Sequence, residues 1–203
     1  MVRAMSLGFK KIEDQTVSVP SFADHPDIHL IVDAWNAWRG NDLVPTRSNV
    51  NLCNISKLLN MITMFDMVSP SEIIVRYIGS SFIDLFGQDY TGANYLDLTP
   101  EEYGKAIRSK RLMAVVEQPC ATFWTAKPIF REDVSLNTIG TCLPIAPTNP
   151  DAPMQMMQLL VLLEPAPYTA FVKKDEDVMI KNSDVFEAVD IGAGLPSLPV
   201  GPA

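Results

Sequence analysis

Histidine, cysteine, basic runs and long apolar runs are all scarce in this chain, and each scarcity closes a class of function. His25 and His29 are the only histidines. They stand four apart at a spacing that suits zinc, but only Asp24 or Asp27 lies close enough to add a ligand, so no metal site is expected. Cys53, Cys120 and Cys142 are odd in number, far apart and free of CxxC spacing. That pattern excludes a disulfide framework and a structural zinc site, and reads as three small buried apolar residues in a reducing compartment. Lysine and arginine total 16 against 24 acidic residues, a net charge of −8, with no long basic run. The resulting field repels phosphates, and nucleic acid is not an expected partner. No stretch reaches the roughly 18 apolar residues needed to span a bilayer, and the opening MVRAMSLGFKK lacks the apolar core of a secretion signal. A cytoplasmic protein without membrane contact is the expectation.

Missing too are a nucleophile beside a base, a carboxylate pair at helical spacing, a glycine-rich phosphate loop and a metal-ligand cluster. Glu101 and Glu102 suit the start of a helix, and the acidic run at 175–177 suits a solvated tail. If a catalytic acid or base existed, Asp84, Asp97 and Glu117 would be the residues available to a cavity. The expectation is that the protein is not an enzyme.

What is present is an ordinary globular composition, 47% hydrophobic and 20% charged over 203 residues, enough for one compact domain with extensions. Residues 1–23 carry no sustained period and read as an N-terminal arm. From Asp24, a cap followed by Pro26, the residues Ile28, Ile31, Trp35 and Trp38 recur at three to four and end at Gly40, an amphipathic helix. Two tryptophans on one stripe require a partner surface, either the domain's own sheet or the same helix of a second copy; the dimer interface is assigned to this stripe. A second helical pattern through Leu52, Ile55, Leu58, Leu59 and Ile62 completes an extension over 24–62.

A core over 63–165 follows. Strands at 63–68 and 73–78 flank the turn Ser69-Pro70-Ser71 and read as a hairpin. Short helical pieces carry Phe82, Leu85 and Phe86 up to Gly87, then 95–98. Thr99 with Glu102 forms a capping box that opens the longest helix, with Tyr103, Ile107, Leu112 and Val115, up to about Gln118. Strands at 122–130, 134–144 and 156–163 close the core, separated by turns at 131–133 and 147–153. Short turns make the last three an antiparallel meander, and the first hairpin completes an α+β fold: a five-stranded antiparallel sheet with the helices on one face. Residues 166–203, acidic and then rich in glycine and proline, read as a flexible tail.

Two strands, helices and three strands, together with WNAWRG at 35–40, PTR at 45–47, RYIGS at 76–80, GQDYTG at 87–92, YLDL at 95–98 and CLPI at 142–145, resemble a family of stand-alone bacterial PAS proteins over about 24–165. The resemblance implies the PAS fold with a cavity between sheet and helices, a sensory or docking role, and output through another protein. It leaves the cofactor unknown. No histidine follows position 29, so the usual axial haem ligand of the long PAS helix is missing, and the cysteine-bearing segment of light-sensing flavin PAS domains is missing too; flavin without an adduct stays open.

Alternation places Arg76 on the same face as Ile74 and Ile78 in an otherwise apolar strand, and a buried guanidinium needs a partner. That partner is a structural carboxylate, Asp84, Asp66 or Glu117, or the carboxylate of a ligand. Ile78, Phe82, Phe86, Tyr95, Leu112, Val116, Trp124 and Phe130 are the expected apolar lining. The function expected is a signalling domain that binds a small apolar or carboxylate-bearing molecule and relays occupancy to a downstream protein as a homodimer; the alternative is a ligand-free docking module.

Overall fold

The computed structural model describes residues 16–98, 104–127, 136–166 and 185–198. Helix α1 (Pro26–Arg39) is followed by a 3-10 stretch, Leu52–Met61, kinked at Ile55. Strands β1 (Ile62–Ser69) and β2 (Glu72–Ile78) form the hairpin, then come α2 (Ser80–Phe86), a 3-10 turn at Tyr95–Leu98 and α3 (Lys105–Glu117). Strands β3 (Cys120–Ala126), β4 (Thr138–Ile145) and β5 (Met154–Leu162) make the meander. The expected hairpin and meander join through antiparallel β1 and β5, with Ile62 opposite Leu159.

The sheet has six strands, in the order β2-β1-β5-β4-β3-β6, not five. Strand β6 (Val185–Asp190) pairs antiparallel with β3, Trp124 opposite Phe186, and lies in the segment expected to be a flexible tail. Its signal is weak because an edge strand buries little: Val185 and Glu187 are exposed, and the anchor, fully buried Ile191, comes just after the strand.

Helices cover both faces of the sheet. Alternation sends Ile62, Met64, Phe123, Leu143, Met157 and Leu159 to a core shared with α1. Phe65, Met67, Cys142, Met156 and Leu160 go to a second core under α3. The stripe Ile28, Ile31, Trp35 and Trp38, expected to be a dimer interface, is spent on the chain's own sheet. The first three are 0% exposed, and the Trp35 indole donates to the Pro144 carbonyl at 2.8 Å. Trp38 donates to Asn54 Oδ1 at 3.1 Å.

Several local expectations shift. The N-cap of α1 is His25, whose Nδ1 accepts from the Asp27 amide at 3.2 Å; Asp24 instead holds His29 Nε2 at 2.8 Å. No His, Cys, Asp and Glu grouping suited to a metal ion occurs among the described residues. Cys53 is exposed, while Cys120 and Cys142 are buried. α2 starts at Gly79 without a side-chain cap. A Cβ at Gly79 would fall 2.3 Å from the Asn60 carbonyl oxygen, which is why the chain can turn there. α3 begins after left-handed Gly104 and has 13 residues to the 14 of α1. The capping box at Thr99 and Glu102, Tyr103, and the turn at 131–133 lie outside the described residues, as does Phe130. No described helix is long and apolar enough to cross a membrane.

Candidate functional site under helix α3

The inner face of α3 is set by spacing. Arg108, Arg111, Leu112 and Val115 recur at three to four residues and all are buried. Ser109 fixes the helix laterally by donating to the Pro70 carbonyl in the β1–β2 turn. Below α3, the sheet presents Phe65, Met156 and Leu160 in an apolar patch, and from the side α2 brings Phe82 and the next turn brings Leu96.

Of the residues expected to line a cavity, Ile78, Phe82, Leu112 and Val116 belong to this cluster, with Tyr95 and Trp124 packed against it. Trp124 lies over Gly140 of β4, where a Cβ would meet its ring at 2.2 Å. Only a glycine leaves room for the indole on the sheet. Phe86 occupies the last residue of α2.

Arg76 is not in this cluster. Between Met64 and Phe65 the register with β2 shifts: Met64 faces Tyr77, but Phe65 faces Val75, so Arg76 is the extra residue of a bulge. Burial accordingly runs Ile73, Val75, then Ile78, and Arg76 is turned out with 71% of its side chain exposed. Its Nε stands 4.0 Å from Asp66 Oδ2, one of the carboxylates foreseen as its structural partner. Arg76 does share a face with Ile74, turned away from the core, and the bulge returns Ile78 to the interior, so the expected common face of Arg76 and Ile78 fails.

The polar groups that are buried in this core were not singled out from the sequence, Tyr95 apart. Arg108 and Arg111 are each 8% exposed and Gln158 6%. The Tyr95 hydroxyl lies beside Arg108 and Gln158. Its ring packs tilted on Phe65, centroids 4.8 Å apart, with the Arg108 guanidinium 5.8 Å from its centroid. Arg111 stands 4.8 Å above the Phe186 ring of β6, a cation–π pair that ties the edge strand to α3. Fully buried Thr122 lies beside the Cys142 thiol. The signal for the arginines was their register with Leu112 and Val115.

Burial governs the electrostatics. It pushes the Tyr95 phenol up, with Arg108 pulling the other way. It lowers Arg108, which Tyr95 partly restores, and it lowers Arg111, to which the like charge of Arg108 adds. Burial also pushes the Cys142 thiol up to about 12, against the pull of neighbouring Trp124 and Thr122, and Cys120 to about 12. At neutral pH both are thiols, not thiolate nucleophiles. This core therefore holds two guanidinium groups, a phenol and an amide among apolar side chains.

A family model described as PAS domain matches residues 23–156. No curated protein matches the chain. Among solved structures it is similar to a Rhodobacter sphaeroides LOV protein, at 16% identity over 56% of this chain and 68% of that one, TM-score 0.38. The PAS domain of a Colwellia psychrerythraea protein is similar at 15% identity over 55% and 96%, TM-score 0.35. A fungal LOV domain photoreceptor is similar at 17% identity over 50% and 73%, TM-score 0.34.

Proposed function

The chain belongs to the PAS domain family, and from that membership we propose that it is a sensory signalling domain that takes a small molecule with an apolar body and a carboxylate under α3 and relays occupancy to a protein partner. The observation that carries this reading is the pair Arg108 and Arg111, both buried in the core under α3, Arg108 beside Tyr95 and Arg111 over Phe186. Desolvating two guanidinium groups is costly. A carboxylate ligand would share their hydrogen bonds and offset part of that cost. Arg111 also touches Phe186, so occupancy would be felt at β6, the edge strand, from which a partner could read it.

The test is mass spectrometry of what the purified protein releases on gentle denaturation. An acidic small molecule is expected from the native chain, and a several-fold smaller yield from Arg108→Met and Arg111→Met proteins of unchanged circular dichroism. A second reading, the ligand-free docking module, draws on the complete burial of Phe65, Val115 and Met156 in the same cluster. Native protein that releases nothing, with both variants binding partner as well as the parent, would favour it.

A further inference from the structure

On the other face of the sheet, beyond the end of the α1 core, lies a cleft of about 250 Å³ lined by Arg47, Asp66, Arg76, Pro147, Asn149 and Gln155 among others. That is the volume of about eight liquid waters, room for a small metabolite. Three features give it a directed chemistry. Alternation from buried Ile73 and Val75 puts Arg76 on this face together with Ile74, which pairs with Asp66, and the bulge that follows returns Ile78 to the other face. Arg47, whose amide donates to the Ala146 carbonyl at 2.8 Å, brings a second cationic residue to the lining of the same cleft. Asp66 and Gln155, directly opposite each other on β1 and β5, form the acidic side: Gln155 Nε2 donates to Asp66 Oδ1 at 2.7 Å. This bond fixes the orientation of the amide and leaves Gln155 Oε1 as an acceptor shielded from solvent with no donor.

The cleft thus sets two cationic residues beside a carboxylate whose position is fixed by the Gln155 amide. A simple anion would satisfy the arginines and be repelled by Asp66; a simple cation would meet the reverse. A molecule carrying both charges on one carbon satisfies all three charged groups. We propose that this cleft binds a small α-amino acid, its carboxylate received by Arg76 and Arg47 and its ammonium by Asp66. The site is separate from the core under α3 and lies on the opposite face of the sheet.

The experiment is an NMR titration of the full chain with glycine, L-serine and L-leucine singly, and with acetate and methylammonium as controls, following the Gln155 side-chain amide and the Arg76 Nε–H. Saturable shifts at both groups are expected with at least one amino acid, at least tenfold tighter than with either control. Arg76→Ala and Asp66→Asn are each expected to weaken that binding tenfold or more; both positions are at the surface or the cleft rim, and a retained amide spectrum under α3 verifies folding. Equal affinity for acetate, no saturable shift with any amino acid, or unchanged binding in both variants overturns the proposal. Since the readout is remote from Tyr95 and α3, its failure is distinguishable from failure of the chamber reading.

Discussion

The face of the sheet under α1 and the face under α3 are covered by helices of nearly equal length, yet they are built from different chemistry. Under α1 the contact is tryptophan, isoleucine and leucine, and its indole hydrogen bonds are completed within the chain. Its buried cation, Arg39, donates to the Ile191 carbonyl at 3.2 Å and stands 5.1 Å from the Trp35 ring centroid. Under α3 two arginines, a phenol, an amide and two thiols share the interior with the apolar residues. Apolar packing supplies stability at no electrostatic cost, whereas buried charge rarely improves on a hydrophobic replacement. The contrast is in where the buried charge and polar groups gather, and they gather under α3.

The largest expected effect lies on the first face. Trp35→Ala removes a fully buried ring and leaves the Pro144 carbonyl without its donor. It should cost about 3–5 kcal/mol in urea unfolding, with no change of oligomeric state in light scattering. A loss under about 1 kcal/mol, or a dimer that dissociates, would mean that the stripe faces another copy after all.

The next effect is confined to the second face and depends on pH. In the fold Cys142 titrates at about 12, above the 9.0 of a free thiol. Below pH 9 both folded and unfolded chains hold this proton; as pH rises from 9 toward 12 the unfolded chain loses it first, so stability falls, by up to about 1.4 kcal/mol per pH unit for each such thiol. Cys120 adds in the same direction. Lysines and tyrosines titrate in the same range, so the measure is the difference between the parent and Cys142→Ala: the variant should show the shallower alkaline decline. Parallel profiles would put Cys142 in contact with water.

How much of this was legible depended on whether local pattern and tertiary placement agreed. The hairpin, the meander and the α1 stripe follow from periods and turns that each strand or helix carries in itself, and they fold as those periods dictate. Ile78, Phe82, Leu112 and Val116 converge for the same reason. Strand β6 was missed because an edge strand flanked by acidic and glycine-rich sequence shows little apolar signal. Arg108 and Arg111 were passed over because a charged residue on a helix ordinarily faces water, and only their register with Leu112 placed them inside. Arg76 failed in the opposite sense: alternation counted from Ile73 and Val75 turns it out, alternation counted back from Ile78 turns it in, and the bulge that separates the two is a property of the pairing of two strands that one strand does not announce.

The smallest expected effect tests that last point. A β2 without the bulge, with Ile78 inside, makes Arg76 a buried cation, and removing it would then strand its carboxylate partner in the interior at a cost of roughly 3–5 kcal/mol. In the bulged strand it is a surface residue paired at 4.0 Å with Asp66, which keeps its hydrogen bond from Gln155. Arg76→Ala should therefore cost less than about 1 kcal/mol, and the difference from the parent should shrink further in high salt, because an exposed pair is screened within a Debye length. An unfolding midpoint shifted as far as in Trp35→Ala would return Arg76 to the interior and remove the bulge from β2. A near-silent substitution leaves its guanidinium free of any part in holding the fold, which is the condition for it to serve the cleft on the α1 side.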